Sequence, residues 1–182
     1  MNSTFNDYNK FKQLPQMPYN IIKNLIINNE NIWKLIKYNT PNALDLANLT
    51  KKDKASLIWN GEEDSEDFRV FMQPYTDDAF AQQCTQIRIF PSSIVPTNRT
   101  LGIISFCFEI LTHVKINQLN NYQTRILTIL QEVIATLNGV EINGIGSLFF
   151  DYEGSRDNFA KLNLYNNRNY CGYTLTMSNR AV

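Results

Sequence analysis

Between Thr100 and Asn179 the chain reads strand, helix, strand, strand, and that order limits it to a sheet with helical cover. Leu101 to Val114 is one long apolar run. Side chains alternate across a strand, so Ile104, Phe106, Phe108 and Ile110 share one face. Ile103, Ser105, Cys107, Glu109 and Leu111 form a second, mixed face. From about Tyr122 to Leu137, residues Ile126, Ile129, Leu130, Val133, Ile134 and Leu137 recur with helical spacing and predict an amphipathic helix. Asn138-Gly139 ends it, because glycine accepts the left-handed conformation found after many helices. Ser147 to Tyr152 and Cys171 to Met177 read as strands, and the polar stretch Glu153 to Asn169 between them reads as an exposed loop. The fold class expected is α+β: an antiparallel β-sheet packed against one long amphipathic helix, with short helices at the N-terminal side.

The earlier half supplies those helices. The apolar set Ile21, Ile22, Leu25, Ile26, then Ile32, Trp33, Leu35 and Ile36 is helical in spacing. Asn28-Asn29-Glu30-Asn31 interrupts it, which predicts two short helices or one bent helix ending before Pro41. Thr50 followed by Asp53 is a helix-start signature, with the threonine hydroxyl set to accept the Asp53 amide. Phe68 to Met72 and Thr85 to Phe90 alternate as strands, and Pro91 to Pro96 reads as a loop or irregular edge. Residues 62–67 are an acidic solvated loop without the ligand alternation of a calcium-binding hand. Asp77 to Gln83 has the composition of one helical turn. The domain division expected is an N-terminal arm over 1–16 and a single α+β domain over 17–182, its helical part at 17–60 and its sheet-and-helix part at 68–182. The first segment is either a disordered tail or an arm whose aromatic residues Phe5, Tyr8 and Phe11 dock on a neighbour.

Chemistry is sparse. Lys plus Arg and Asp plus Glu balance at 17 each, so a global basic surplus for nucleic acid is absent. Lys51-Lys52-Asp53-Lys54 is a local basic cluster that reads as a solvated helix start. The cysteines Cys84, Cys107 and Cys171 are odd in number and widely spaced, which argues against a disulfide framework or a zinc site and for a reducing compartment. No apolar run reaches the length of a membrane span, and the polar N-terminal residues do not form a signal peptide. The sequons at Asn48 and Asn98 read as chance in an Asn-rich chain. His113 is the only histidine and reads as a structural or rim residue. Asn143-Gly144-Ile145-Gly146 follows a helix and precedes a strand, the reverse of a dinucleotide fingerprint, and reads as a tight turn. Asp151, Glu153 and Asp157 read as solvated surface. A site built on Cys107, Glu109 and His113 fails on distance: the three share a strand face, but Cys107 and His113 lie roughly 20 Å apart along a strand. No catalytic residue, cofactor site or metal site is expected.

Three segments carry a resemblance. They are Arg125-Ile126-Leu127 through Leu137-Asn138-Gly139, Ile142-Asn143-Gly144-Ile145-Gly146-Ser147-Leu148, and Asn169-Tyr170-Cys171-Gly172-Tyr173-Thr174-Leu175-Thr176-Met177. Together the arrangement resembles the small neck and tail-terminator proteins of tailed bacteriophages, most closely the neck rings of crAss-like and other short-tailed phages. The resemblance covers the last half of the chain. It implies a helix on an antiparallel sheet and a virion protein, assembled in the host cytoplasm. Such a protein forms a homo-oligomeric ring between portal and tail. Its partners would be copies of itself, portal and tail or neck proteins, and DNA passing through the channel without sequence recognition; no membrane is implied. The N-terminal helices and arm depart from the compact terminators.

A ring of identical subunits needs a heterologous interface that closes by rotation. Phe5, Tyr8 and Phe11 in the arm, and Phe159, Leu162, Leu164 and Tyr165 in the polar stretch, are the candidate interface residues, because interface cores concentrate such side chains. The expected function is a structural, non-enzymatic ring protein of the phage neck. The alternatives are another tail-completion or virion structural protein, a cytoplasmic ligand-binding or peptide-binding module, and a cytoplasmic enzyme.

Overall fold

The computed structural model describes residues 11–61, 67–74, 83–96, 102–150, 159–164 and 169–179. Within them a curled, mixed β-sheet, a half-barrel in outline, is covered by short helices in an α+β arrangement. A 3-10 helix, Phe11–Gln16, leads into α1 (Met17–Asn28), α2 (Asn31–Lys37) and α3 (Lys51–Ser56). The strands are β1 (Val70–Phe71), β2 (Thr85–Pro96), β3 (Gly102–His113), β4 (Glu141–Ile142), β5 (Gly146–Phe149), β6 (Ala160–Leu164) and β7 (Tyr170–Asn179), with α4 (Arg125–Leu137) between β3 and β4. Their order is β1-β2-β3-β7-β5-β4, and β6 lies beside β5 on the same side of β7.

The register fixes what each face of the sheet carries. Phe106 pairs with Met177, Phe108 with Leu175 and Ile89, and Ile110 with Ile87. These residues are buried and form one core with Ile21, Leu25, Trp33, Ile36, Ile129 and Val133 of the helices. The parity read from the sequence therefore holds for β3. Burying each such large side chain contributes about 1.5–3 kcal/mol as an upper bound.

Two parts of the expected fold class change. The sheet is mixed, because β1 runs parallel to β2. The helical cover is a layer of short helices, with α1 nearly as long as α4 and both α1 and α2 contributing to the core. The reason is visible at Asn29, which breaks the first helical run with an extended backbone. Its side chain accepts the Ile32 amide at 2.8 Å and donates to Glu132 and Thr136 of α4 at 2.7 and 2.8 Å. One polar residue thus starts α2 and ties the helix pair to α4.

Local signals fare variously. Thr50 and Asp53 form the reciprocal cap expected at the start of α3. Lys54, expected to be solvated, is buried instead: its ammonium donates to the Ile26 carbonyl at 3.0 Å and pairs with Glu30 at 2.7 Å. That contact, with the Leu49 amide, holds the Glu30 carboxyl below the usual carboxylate range despite the desolvation that opposes it.

Helix α4 starts three residues later than its periodicity suggests, because Asn117 caps it from a distance. The Asn117 carbonyl accepts from Arg125 and its side chain accepts from Ile126. Gly139 is left-handed at φ +75, as expected, but its amide donates to Leu148 and so opens the β4–β5 hairpin.

Three further readings are corrected. The stretch from Pro91 to Pro96 is not a loop but the distal part of β2, an edge with one irregularity. Ser92 is the extra residue of a bulge there, and it moves the core-facing parity from Ile87 and Ile89 to Ile94. Part of the polar stretch read as a loop is strand β6. The alternating run from Phe68 to Met72 contributes only the two residues of β1. Most of the acidic loop and of the turn from Asp77 lies outside the described residues.

Candidate functional site

Among the described residues, two strand edges at opposite sides of the sheet carry exposed apolar side chains. On one side, β1 pairs with β2 only at Ile87 and Arg88. β3 stays paired with β7 as far as Ser105, and past that residue β2 and β3 run on as a short two-stranded ribbon, with Ile94 opposite Ile104 and Val95 opposite Ile103. Residues 92–96 are exposed, Ile94 by 43% and Val95 by 52%, so the ribbon carries apolar side chains into solvent. On the other side, β6 pairs with β7 along Ala160–Leu164, and among the described residues its outer edge has no strand beside it. Phe159 and Leu162 are each 46% exposed there. Unpaired strand edges carry rows of amides and carbonyls that accept another strand.

The structure locates the candidate interface residues unevenly. Leu162 stands exposed on β6, Phe159 immediately before it, and Leu164 falls in the same strand. Phe11 begins the first 3-10 helix. Phe5, Tyr8 and Tyr165 lie outside the described residues. Ile94 and Val95 escape the sequence reading because flanking prolines argue against a strand. Edge strands tolerate proline, because an amide on the outer side of such a strand has no ladder bond to lose.

Cys107, Glu109 and His113 do share the second face of β3, as their parity requires. Each is engaged separately. Glu109 pairs with Arg88 across the strands at 2.9 Å, and Arg88 also reaches the Pro74 carbonyl. His113 Nδ1 accepts the Lys115 amide at 3.2 Å, and its ring packs edge-on against Tyr170 at 5.2 Å between centroids. Burial, and then Lys115, lowers the His113 pKa, which favours the neutral ring. Burial, reinforced by Glu109, pushes the Cys107 thiol up to about 12. The Cys107 side chain therefore remains a thiol at neutral pH and acts as a small apolar residue. In the folded chain at pH 7.5 it should resist a maleimide and label only on unfolding; rapid native labelling of Cys107 by mass spectrometry would contradict this assignment.

A buried cluster the sequence does not foreshadow closes the same end of the sheet. Cys84 Sγ lies 3.8 Å from Tyr170 Oη, and the His113 amide donates to the Cys84 carbonyl. Desolvation raises the Tyr170 pKa, so the phenol stays neutral. Among the described residues, no group of three or more His, Cys, Asp or Glu side chains is placed to hold a metal ion. Nor is any described helix long and apolar enough to cross a membrane. Asp151, Glu153 and Asp157 lie outside the described residues.

No curated protein matches the chain. A family model described as YomW matches residues 29–179, from the break between α1 and α2 to the last residue of β7. That family is named after a gene of the Bacillus phage SPbeta region, which associates it with phage. With every described strand and helices α2, α3 and α4 inside the match, the chain belongs to the YomW family.

Proposed function

We propose that this chain is a structural protein of the phage neck, forming a ring between portal and tail around the DNA channel. One observation carries the reading. Among the described residues one curled sheet carries two unlike edges with exposed apolar side chains, the distal β2 ribbon on one side and β6 on the other, besides the short terminal strand β4. Two unlike edges at opposite sides can join head to tail. Such a contact is heterologous, and it closes into a ring when each step adds the same rotation. Strand addition supplies backbone hydrogen bonds, and Ile94, Val95, Phe159 and Leu162 supply apolar contact. The phage association of the family agrees with a place in a virion. A balanced charge suits a channel through which DNA slides without tight binding.

The test is to image particles made by a phage or prophage that encodes the chain, with an antibody or tag marking it. Label at the junction of head and tail, in ring symmetry, is the expected result. Complete, infectious particles assembled without the protein would overturn the proposal.

A further inference from the structure

Asparagine is followed by glycine at Asn60, Asn138 and Asn143. Asparagine side chains are chemically labile. They are most so before glycine, whose missing Cβ leaves its amide nitrogen unhindered for attack on the asparagine Cγ. Asn60-Gly61 borders residues outside the described ones. The other two pairs stand on either side of β4, and the fold holds them in opposite states. Asn138-Gly139 is locked at both reacting groups. The Asn138 side-chain oxygen accepts the Phe150 amide at 2.9 Å, and the Gly139 amide donates to the Leu148 carbonyl at 2.6 Å. Asn138 also bridges Leu148 along the backbone. Neither group can turn to the other without breaking these bonds.

Asn143-Gly144 is open. The Ile145 amide donates to the Ile142 carbonyl at 2.9 Å, so residues 142–145 form a β-turn. Gly144 has φ +80 and Asn143 has no positive φ, which makes the turn type II, with glycine where that type requires it. Asn143 is exposed. Among the described residues, neither its side chain nor the Gly144 amide has a hydrogen-bond partner. Type I and type II turns differ by a flip of the central peptide, so that peptide can rotate while the Ile145–Ile142 bond persists. The rotation turns the Gly144 nitrogen about the Asn143 Cα–C bond, the movement that brings it to Cγ. It costs one exposed bond, from Asn20 Nδ2 to the Asn143 carbonyl at 3.0 Å.

We propose that Asn143 is a self-modification site, converted by its own neighbour to aspartate and isoaspartate. A base in solvent takes the Gly144 amide proton, and the nitrogen forms a bond to Asn143 Cγ. The side-chain nitrogen takes a proton from solvent and leaves as ammonia, which closes a cyclic imide. Water then opens either carbonyl of that ring. Overall one water is consumed and one ammonia released, and nothing is oxidised or reduced.

The product adds a carboxylate to the turn and, in the isoaspartate form, one extra backbone carbon. It does so where the sheet meets the first helical segment: Asn20 of α1 holds the Asn143 carbonyl, and a Cβ at Gly144 would collide with the Gln13 side-chain oxygen. The site lies apart from the two strand edges and does not depend on the ring proposal.

The test ages the full chain in neutral and in mildly alkaline buffer, folded and in urea, and follows Asn138 and Asn143 by peptide mass spectrometry with fragmentation that separates aspartate from isoaspartate. In the folded chain Asn143 should convert about tenfold or more faster than Asn138, because Asn138 must first break two bonds of the sheet. Conversion at Asn143 should quicken in the alkaline buffer, where more of the Gly144 amide is deprotonated. In urea the two sites should convert at similar rates, since the bonds that separate them are gone. A folded Asn143 that keeps its amide while the urea sample loses it would overturn the proposal. So would equal rates at the two sites in the folded chain, or a preference for Asn143 that survives unchanged in urea.

Discussion

Arg125→Met should unfold this protein more readily than any other single substitution suggested by the structure. Arg125 is fully buried at the start of α4. Its guanidinium donates to four backbone carbonyls: Ile116 at 2.9 Å, Leu35 at 2.6 Å, Tyr38 at 2.7 Å and Thr40 at 2.7 Å. Leu35 and Tyr38 lie at the C-terminal end of α2, where unpaired carbonyls and the helix dipole favour a cation. Desolvation lowers the Arg125 pKa to about 10, which still leaves the side chain charged at pH 7. Methionine matches the volume and removes every donor. The carbonyls then lose charge-assisted bonds of about 1.5–3 kcal/mol each, partly recovered by relaxation and water, so the net loss should be about 3–5 kcal/mol. Against a typical total stability of about 5–15 kcal/mol, that is a large fraction. For a domain of this size the melting temperature should fall by on the order of 10 °C. Arg125→Lys should lie between, since an ammonium cannot span four acceptors. A melt of Arg125→Met within about 1 °C of the parent would refute this account of the residue.

The second large effect is on assembly. Ile94→Asp with Val95→Asp alters only exposed positions on the distal ribbon. Such surface changes usually move stability by less than about 0.5 kcal/mol. At a contact between copies the same change buries two unpaired carboxylates, at a cost of several kcal/mol, and association should weaken by at least about 100-fold. Leu162→Asp on β6 should act similarly from the opposite side of the sheet. A heterologous contact makes a sharper forecast for the mixture. Each variant keeps one intact edge, so the two together should form heterodimers and no closed ring. Sedimentation of the mixture measures this directly. Rings formed equally well by both variants alone would show that these edges are not the subunit contact.

The parts of the fold legible in the sequence are those set by near neighbours. The parity of β3 and the periodicity of α4 appear as printed patterns, because each element buries one face and alternates locally. The cap at Thr50 and the left-handed Gly139 are also local, since each depends on a few adjacent residues. Strand β6 is hidden for the opposite reason. Among the described residues it pairs on one side only, its described side chains face solvent, and nothing there forces an apolar alternation on it. The candidate interface residues named from composition fall partly on that strand, but the exposed edge on β2 is obscured by its prolines.

The sequence by itself determined that this chain folds as an α+β domain with a long strand and an amphipathic helix, since hydrophobic periodicity is written residue by residue. Only the tertiary structure decided that Arg125 serves carbonyls as far as 90 residues away, that Lys54 is buried, and that Ser92 shifts the ribbon's facing. It also placed the distal β2 ribbon and β6 at opposite sides of one sheet, each with an outer edge that no described strand covers. Burial of a charge, strand register and free edges depend on partners distant in the chain, and a local pattern cannot specify which of them will meet.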